Sequence, residues 1–148
     1  LTAVGQIFSS YPVSLQLAAS ELLLVFASGY GSRPSALDTQ QLAQELEAPP
    51  GVRQYHTNQS LIARSGVVHD VVRGLAASIL AGDEVLMMSL ALTLAQCSYH
   101  ADNVAGLIDA GFLACLPHLL AYDYRHPLTP VAVEALWNML DAAPGPTR

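Results

Sequence analysis

One unit of eighteen residues occurs twice in the chain, and the distance between its copies restricts the fold more than any other feature. The first copy starts at Asn58 (NQSLIARSGVVHDVVRGL) and the second 45 residues later at Asn103 (NVAGLIDAGFLACLPHLL). Both run Asn, a short apolar stretch, Gly, then two large apolar residues. Ile62 thus corresponds to Leu107, Gly66 to Gly111, Val67 to Phe112, Val71 to Leu116 and Leu75 to Leu120. Self-similarity at a period of roughly 20–50 residues marks stacked supersecondary units, none of which can bury its apolar face alone.

Each copy continues into a second shared segment, EVLMMSLALTLAQCS in the first and PVAVEALWNMLDAAP in the second. Aligning Leu94 with Leu136, 42 residues apart, implies a connection three residues shorter in the second copy. A third instance lies upstream, where SLQLAASELLLVFASG sets Leu23 and Phe26 against Leu94 with Cys97 and Leu136 with Met139. Apolar residues recur in all three at spacings of three and four, which is one stripe of a helix. Hydrophobic residues make up 52% of the 148 and charged residues only 12%. Ala and Leu dominate while β-branched and aromatic residues are sparse, so the chain is expected to be all-α with one continuous core. Gly66 and Gly111 are expected at equivalent sharp turns, and Trp137 in the core against a neighbouring unit.

The pattern divides the chain as follows. Residues 1–28 are the end of a preceding repeat, with Pro12 in the first turn of its last helix. Residues 29–57 match no other copy and form a surface insertion, in which Asp38 or Thr39 could cap a short helix. Residues 58–98 and 103–143 are the two repeats, each of three helices. Asp83 and Glu84 complement the dipole at the start of one long helix, and Pro144, Gly145 and Pro146 close the last. The longest uncharged apolar run, Val85 to Ala95, would span about 16 Å as a helix, short of a roughly 30 Å hydrocarbon layer. No basic region precedes an apolar signal core, and the chain opens at Leu1 without Met, so a piece of a longer protein is expected.

Charge and chemistry narrow the functional classes. All six basic residues are Arg, and twelve acidic side chains leave a net charge of −6. That balance offers no basic stripe to displace counterions from phosphates, which argues against nucleic acid and acidic membrane surfaces as partners. Cys97 and Cys115 fall on apolar faces and are expected as reduced core residues, and no Cys or His spacing suggests a zinc site. No cofactor is implied. Among the five His, His69 and Asp70 are adjacent and diverge by about 100° on a helix, so they cannot act as a dyad. Nucleophile elbow, phosphate-cradling loop and HExxH are all missing, and no catalytic residue can be named.

The order of a short helix ending before Gly, a second helix, and a long helix carrying ALxxLxxL or ALWNML resembles the armadillo-repeat family, with DAGFLACLPHLL followed by VAVEALWNMLDAAP carrying most of the likeness. The resemblance implies an armadillo/HEAT-like α-solenoid, a right-handed superhelix of three-helix repeats, with no catalytic activity. Within that family the segments YPVSLQLAASELLLVFASGYG, YHTNQSLIARSGVV and ALWNMLD are similar to those of axonemal armadillo proteins of cilia and flagella. What that likeness implies is a cytoplasmic, cytoskeletal scaffold in a projection of the central pair of microtubules, bound to other central-apparatus proteins and not to tubulin directly.

In armadillo families the long third helices line a concave groove, where importin-type receptors use a ladder of Asn with Trp four residues before it. The corresponding positions here are Val25, Gln96 and Asn138, preceded by Glu21, Leu92 and Glu134, so that ladder is missing. Candidate groove residues are therefore Glu21, Leu92, Gln96, Glu134 and Asn138, a surface acidic at both ends and suited to a basic or amphipathic peptide. Their other reading is a solvated helix face. The loop YDYRHPLT supplies candidate contacts in Tyr122, Tyr124 and Arg125, and exposure of its apolar residues Tyr122, Tyr124 and Leu128 would favour a scaffold buried in a large assembly.

Overall fold

The computed structural model of the chain describes residues 1–28 and 50–142. Among these it contains eight helices and no strand: α1 (Thr2–Ser10), α2 (Val13–Ser28), α3 (Pro50–Ser65), α4 (Val67–Ala81), α5 (Glu84–Ser98), α6 (Ala101–Asp109), α7 (Phe112–Leu120) and α8 (Leu128–Ala142). The expected helix capped by Asp38 or Thr39 and the stop at Pro144 to Pro146 lie outside the described residues. Helix α3 begins at Pro50, eight residues before Asn58, inside the stretch read as insertion. A Pro in the first turn has no N–H to lose there, so it can open a helix.

Local signals account for most boundaries. Gly66 and Gly111 both adopt left-handed backbone (φ 71° and 87°) between the first and second helices of their units, as their shared register predicts. Gly82, also left-handed, ends α4 with paired bonds from Gly82 N to Ile79 O and Asp83 N to Ser78 O, which satisfy two orphaned carbonyls. Asp83 then caps α5, its Oδ1 accepting from Leu86 N at 3.0 Å.

The helices pack counterpart on counterpart. In the two units α3 lies against α6, α4 against α7 and α5 against α8, while α1 and α2 take the places before α4 and α5. The α1–α4 contact is close because glycines face it: a Cβ on Gly74 would meet Phe8 Cβ at 3.3 Å and Leu90 Cδ1 at 3.4 Å. Helix α5 is the centre of the molecule. Ten of its fifteen residues are buried, and Leu90, Leu94, Leu75, Ile62, Leu107, Phe112 and Leu119 form the core around it. No single described helix is long and apolar enough to cross a membrane; α6 and α7 reach that length together but meet at 85°.

A buried amide chain runs through the units. Gln59 Nε2 donates to Ala27 O (2.7 Å) and Asn58 Nδ2 to Phe26 O (2.7 Å), satisfying carbonyls left open in the last turn of α2. Asn103 Nδ2 donates in turn to Gln59 Oε1 (2.6 Å). The repeated Asn is therefore a fastener between successive units.

Three expectations are corrected here. Burial aligns α8 with α5 at 45 residues, the same offset as the preceding helices: Leu86, Met87, Leu90 and Leu94 match Val131, Ala132, Ala135 and Met139, all buried. The 42-residue alignment on Leu136 is off by three, because the shorter α7 is compensated by the longer loop after it. Trp137 consequently turns out of the core and is 71% exposed. Leu128, read as part of the loop YDYRHPLT, is instead the first residue of α8 and fully buried.

Replacing Gly111 by Ala should destabilise the fold by about 1 kcal/mol, since the new Cβ meets nothing within 4 Å and only the left-handed backbone resists it. Gly106→Ala, inside α6 and equally uncrowded, should instead stabilise by about 0.5–1 kcal/mol. Urea melts of the two variants give opposite signs if both assignments hold.

Candidate functional site

The three third helices, α2, α5 and α8, present a common surface opposite the core. On α2 it carries exposed Glu21 and Val25; on α5, exposed Val85 with half-buried Met88 and Leu92; on α8, Pro130, Val133 and Trp137. At the 45-residue register Trp137 is the counterpart of Leu92, so the indole occupies on α8 the position that Leu92 holds on α5.

The other candidate residues are less free. Gln96 is 2% exposed, and its Oε1 has no hydrogen-bond partner. Glu134 and Asn138 face the seam with α5: Glu134 accepts from the Tyr99 hydroxyl, and Asn138 Nδ2 donates to Ser98 Oγ at 3.0 Å. On the opposite flank of α5, Thr93 Oγ1 donates to Ser20 O (3.2 Å) and Ser89 Oγ hydrogen-bonds Ser20 Oγ. Polar pairs therefore lie on both flanks of α5, leaving Glu21, Leu92 and Trp137 as the accessible members of this surface. Tyr99 was not among the residues expected at the site. Its only sequence signal is that it follows the last residue of the long helix, where a C-terminal aromatic can reach the next helix.

The loop between α7 and α8 is tied down from within. Tyr122 stacks on His126 (centroids 4.2 Å apart), and His126 Nδ1 accepts from Leu128 N at 3.2 Å. The other ring nitrogen, Nε2, lies 3.4 Å from Glu84 Oε2 at the start of α5. Asp123 Oδ1 accepts from Arg125 N (2.9 Å) in a local turn. Tyr124 is exposed, and Arg125 Nε donates to its hydroxyl at 2.8 Å. Of the three loop candidates, Tyr124 and Arg125 are thus presented together to solvent, whereas Tyr122 is engaged in packing.

Elsewhere, Leu1, Thr2, Phe26, Leu61, Arg64 and Ser65 line an open depression of about 550 Å³ between the ends of α1, α2 and α3. Among the described residues no three His, Cys, Asp or Glu side chains converge as metal ligands. Cys97 and Cys115 are free and buried. Burial pushes the Cys97 thiol up to about 12 and raises that of Cys115 as well, so neither is a thiolate at neutral pH. Compared with models of known protein families and with curated proteins, the chain matches none.

In the native protein, Ellman's reagent at about pH 8 should label both thiols far more slowly than in denaturant, with Cys97 the slower. The same shift has a signed consequence for stability. The unfolded thiol ionises near 9.0 while the folded one holds its proton to about 12. Cys97 therefore stabilises the fold fully below pH 9, and that contribution is lost as pH rises from 9 towards 12. Melts of wild type against Cys97→Ala should converge over that window.

Proposed function

We propose that the chain is a non-catalytic protein–protein interaction scaffold, built of armadillo-type three-helix units stacked into a right-handed α-solenoid. The observation that carries this reading is the packing of each helix of one unit against its counterpart in the next, with a left-handed glycine at the same place in both. Such stacking displays a row of equivalent helix faces and is suited to binding extended surfaces of other proteins. The two thiols, the chain's strongest nucleophiles, are desolvated and protonated, so nothing among the described residues favours catalysis over binding.

The setting we propose is the motile cilium, in a projection of the axonemal central pair. Support for it comes from the sequence: the order of segments from YPVSLQLAASELLLVFASGYG to ALWNMLD resembles the N-terminal region of cilia- and flagella-associated protein 69. Its partners there are other central-apparatus proteins. Direct grip on tubulin is disfavoured by a net charge of −6, since like charge repels the acidic microtubule surface. A pelleting assay with purified microtubules should leave the chain in the supernatant at low salt, and tagged protein in ciliated cells should concentrate in the axoneme. Salt-sensitive co-pelleting would refute the docking model, and a location outside cilia would refute the setting.

A second reading is favoured by the groove surface: an adaptor holding a basic amphipathic peptide, with Glu21 taking a cation and Leu92 and Trp137 the apolar side chains. Binding of an Arg- and Leu-containing helical peptide, followed by the anisotropy of a fluorescein label on the peptide, should weaken about tenfold in Trp137→Ala and less in Glu21→Gln. Equal affinity in all three proteins would remove the groove from consideration.

A further inference from the structure

The connections that lead from second to third helices form one edge of the molecule. Helix α1 lies on α4 and α2 on α5, so the α1–α2 turn stands beside the α4–α5 turn. The α7–α8 loop follows on the other side, where His126 Nε2 lies 3.4 Å from Glu84 Oε2. Each connection presents apolar side chains to solvent: Tyr11 and Val13 at the first, Leu80 (91% exposed) and Val85 (67%) on either side of the second, and Tyr124 (73%) on the third. Asp83, Glu84 and Asp123 lie along the same turns, against the guanidinium of Arg125. Leu1 and Ala142 are at the other ends of α1 and α8, about 14 Å and 22 Å along the helix axes, so a further unit stacked on either flank would lengthen this edge and leave it uncovered.

We propose that this edge receives a basic amphipathic helix of a partner protein, lying across the three connections. Spacing, backbone and charge each point to that occupant. Packed helices stand about 8–10 Å apart, so the apolar groups of successive connections recur at about that interval. Seven residues of helix rise about 10.5 Å, so a helix with apolar residues at heptad spacing meets all three connections within about 15 residues. The backbone N–H groups of Gly82, Asp83 and His126 are already bonded to Ile79 O, Ser78 O and Asp123 O, and that of Arg125 to Asp123 Oδ1. An extended peptide would lack those donors for its own carbonyls, whereas a helix arrives with its backbone satisfied. The carboxylates of Asp83, Glu84 and Asp123 favour Lys or Arg beside the partner's apolar stripe and disfavour acidic lipid headgroups. The proposal rests on the reading of the chain as a stacked scaffold, and it does not involve the strip of Glu21, Leu92 and Trp137.

The test is an anisotropy titration with a fluorescein-labelled helical peptide of about 16 residues, carrying Leu at heptad spacing and Arg on both sides of it. The 148-residue chain is used with Trp137→Ala, so that the strip has lost its indole and the edge is read separately. This protein should bind the peptide saturably, and more weakly as salt rises. Adding Leu80→Glu, or Tyr124→Ala, should weaken binding by about tenfold each. Both positions are exposed, so circular dichroism and the thermal melt should stay as they were. A peptide with Glu in place of Arg should bind at least about tenfold more weakly. Absence of binding in Trp137→Ala would overturn the proposal and, if wild type does bind, assign the peptide to the strip. Affinity indifferent to both edge substitutions, or equal for the Arg and Glu peptides, would also overturn it. So would self-association of the chain without peptide that Leu80→Glu abolishes, which would make a second copy the occupant of the edge.

Discussion

The structure depends on a helix that cannot be stable in contact with water. Ten of the fifteen residues of α5 are buried, and its only exposed or half-exposed stripe runs through Glu84, Val85, Met88, Ser89 and Leu92. One amphipathic helix normally needs one apolar face covered. This helix must be covered from the core below and by neighbouring helices on both flanks, which forces α2 and α8 to lie alongside it. The other elements follow from that demand. Helices α4 and α7 floor the same layer, and the glycines at 66 and 111 turn the chain sharply enough for first and second helices to reach their places.

Several of the polar groups inside this apolar stack fasten one helix to the next. Asn103, Gln59 and the carbonyl of Ala27 form a chain of amide hydrogen bonds across three successive units. Ser20 with Ser89 and Thr93, then Ser98 with Asn138 and Tyr99 with Glu134, do the same along the third helices. An unpaired buried amide costs about 1–3 kcal/mol, so a slip of one residue between units would be penalised at several points at once. Hydrophobic burial drives the units together, and these pairs set their axial register.

For function, the consequence is that chemistry is spent on assembly and surfaces are left for recognition. Glu134 and Asn138 are held in the α5–α8 seam, the thiols are desolvated, and His126 is occupied in fixing its own loop. The accessible surfaces include the strip of Glu21, Val25, Leu92 and Trp137 and the Tyr124–Arg125 pair. All are surfaces on which another polypeptide can lie, in keeping with the proposed role as a scaffold.

Periodicity determined the helical class, the 45-residue correspondence of Asn58 with Asn103, and the turns at Gly66, Gly82 and Gly111, because each is a local property: a stripe of apolar residues, or a left-handed backbone that favours glycine. Its reach ended where neighbours decide. Trp137 reads as a core residue by hydrophobicity alone, yet the 45-residue register turns it outward, and a register shift of three residues on a helix changes which face is buried. The offset between α5 and α8 could not be read from sequence, since a shortened α7 and a lengthened loop cancel and only the packed burial pattern reveals it. Leu128 likewise looks like a loop residue until α8 is placed over the core. The roles of Glu134, Asn138 and Tyr99 were also beyond sequence, because a side chain's hydrogen-bond partner 35 or 40 residues away is fixed by how two helices lie together and by nothing local to either.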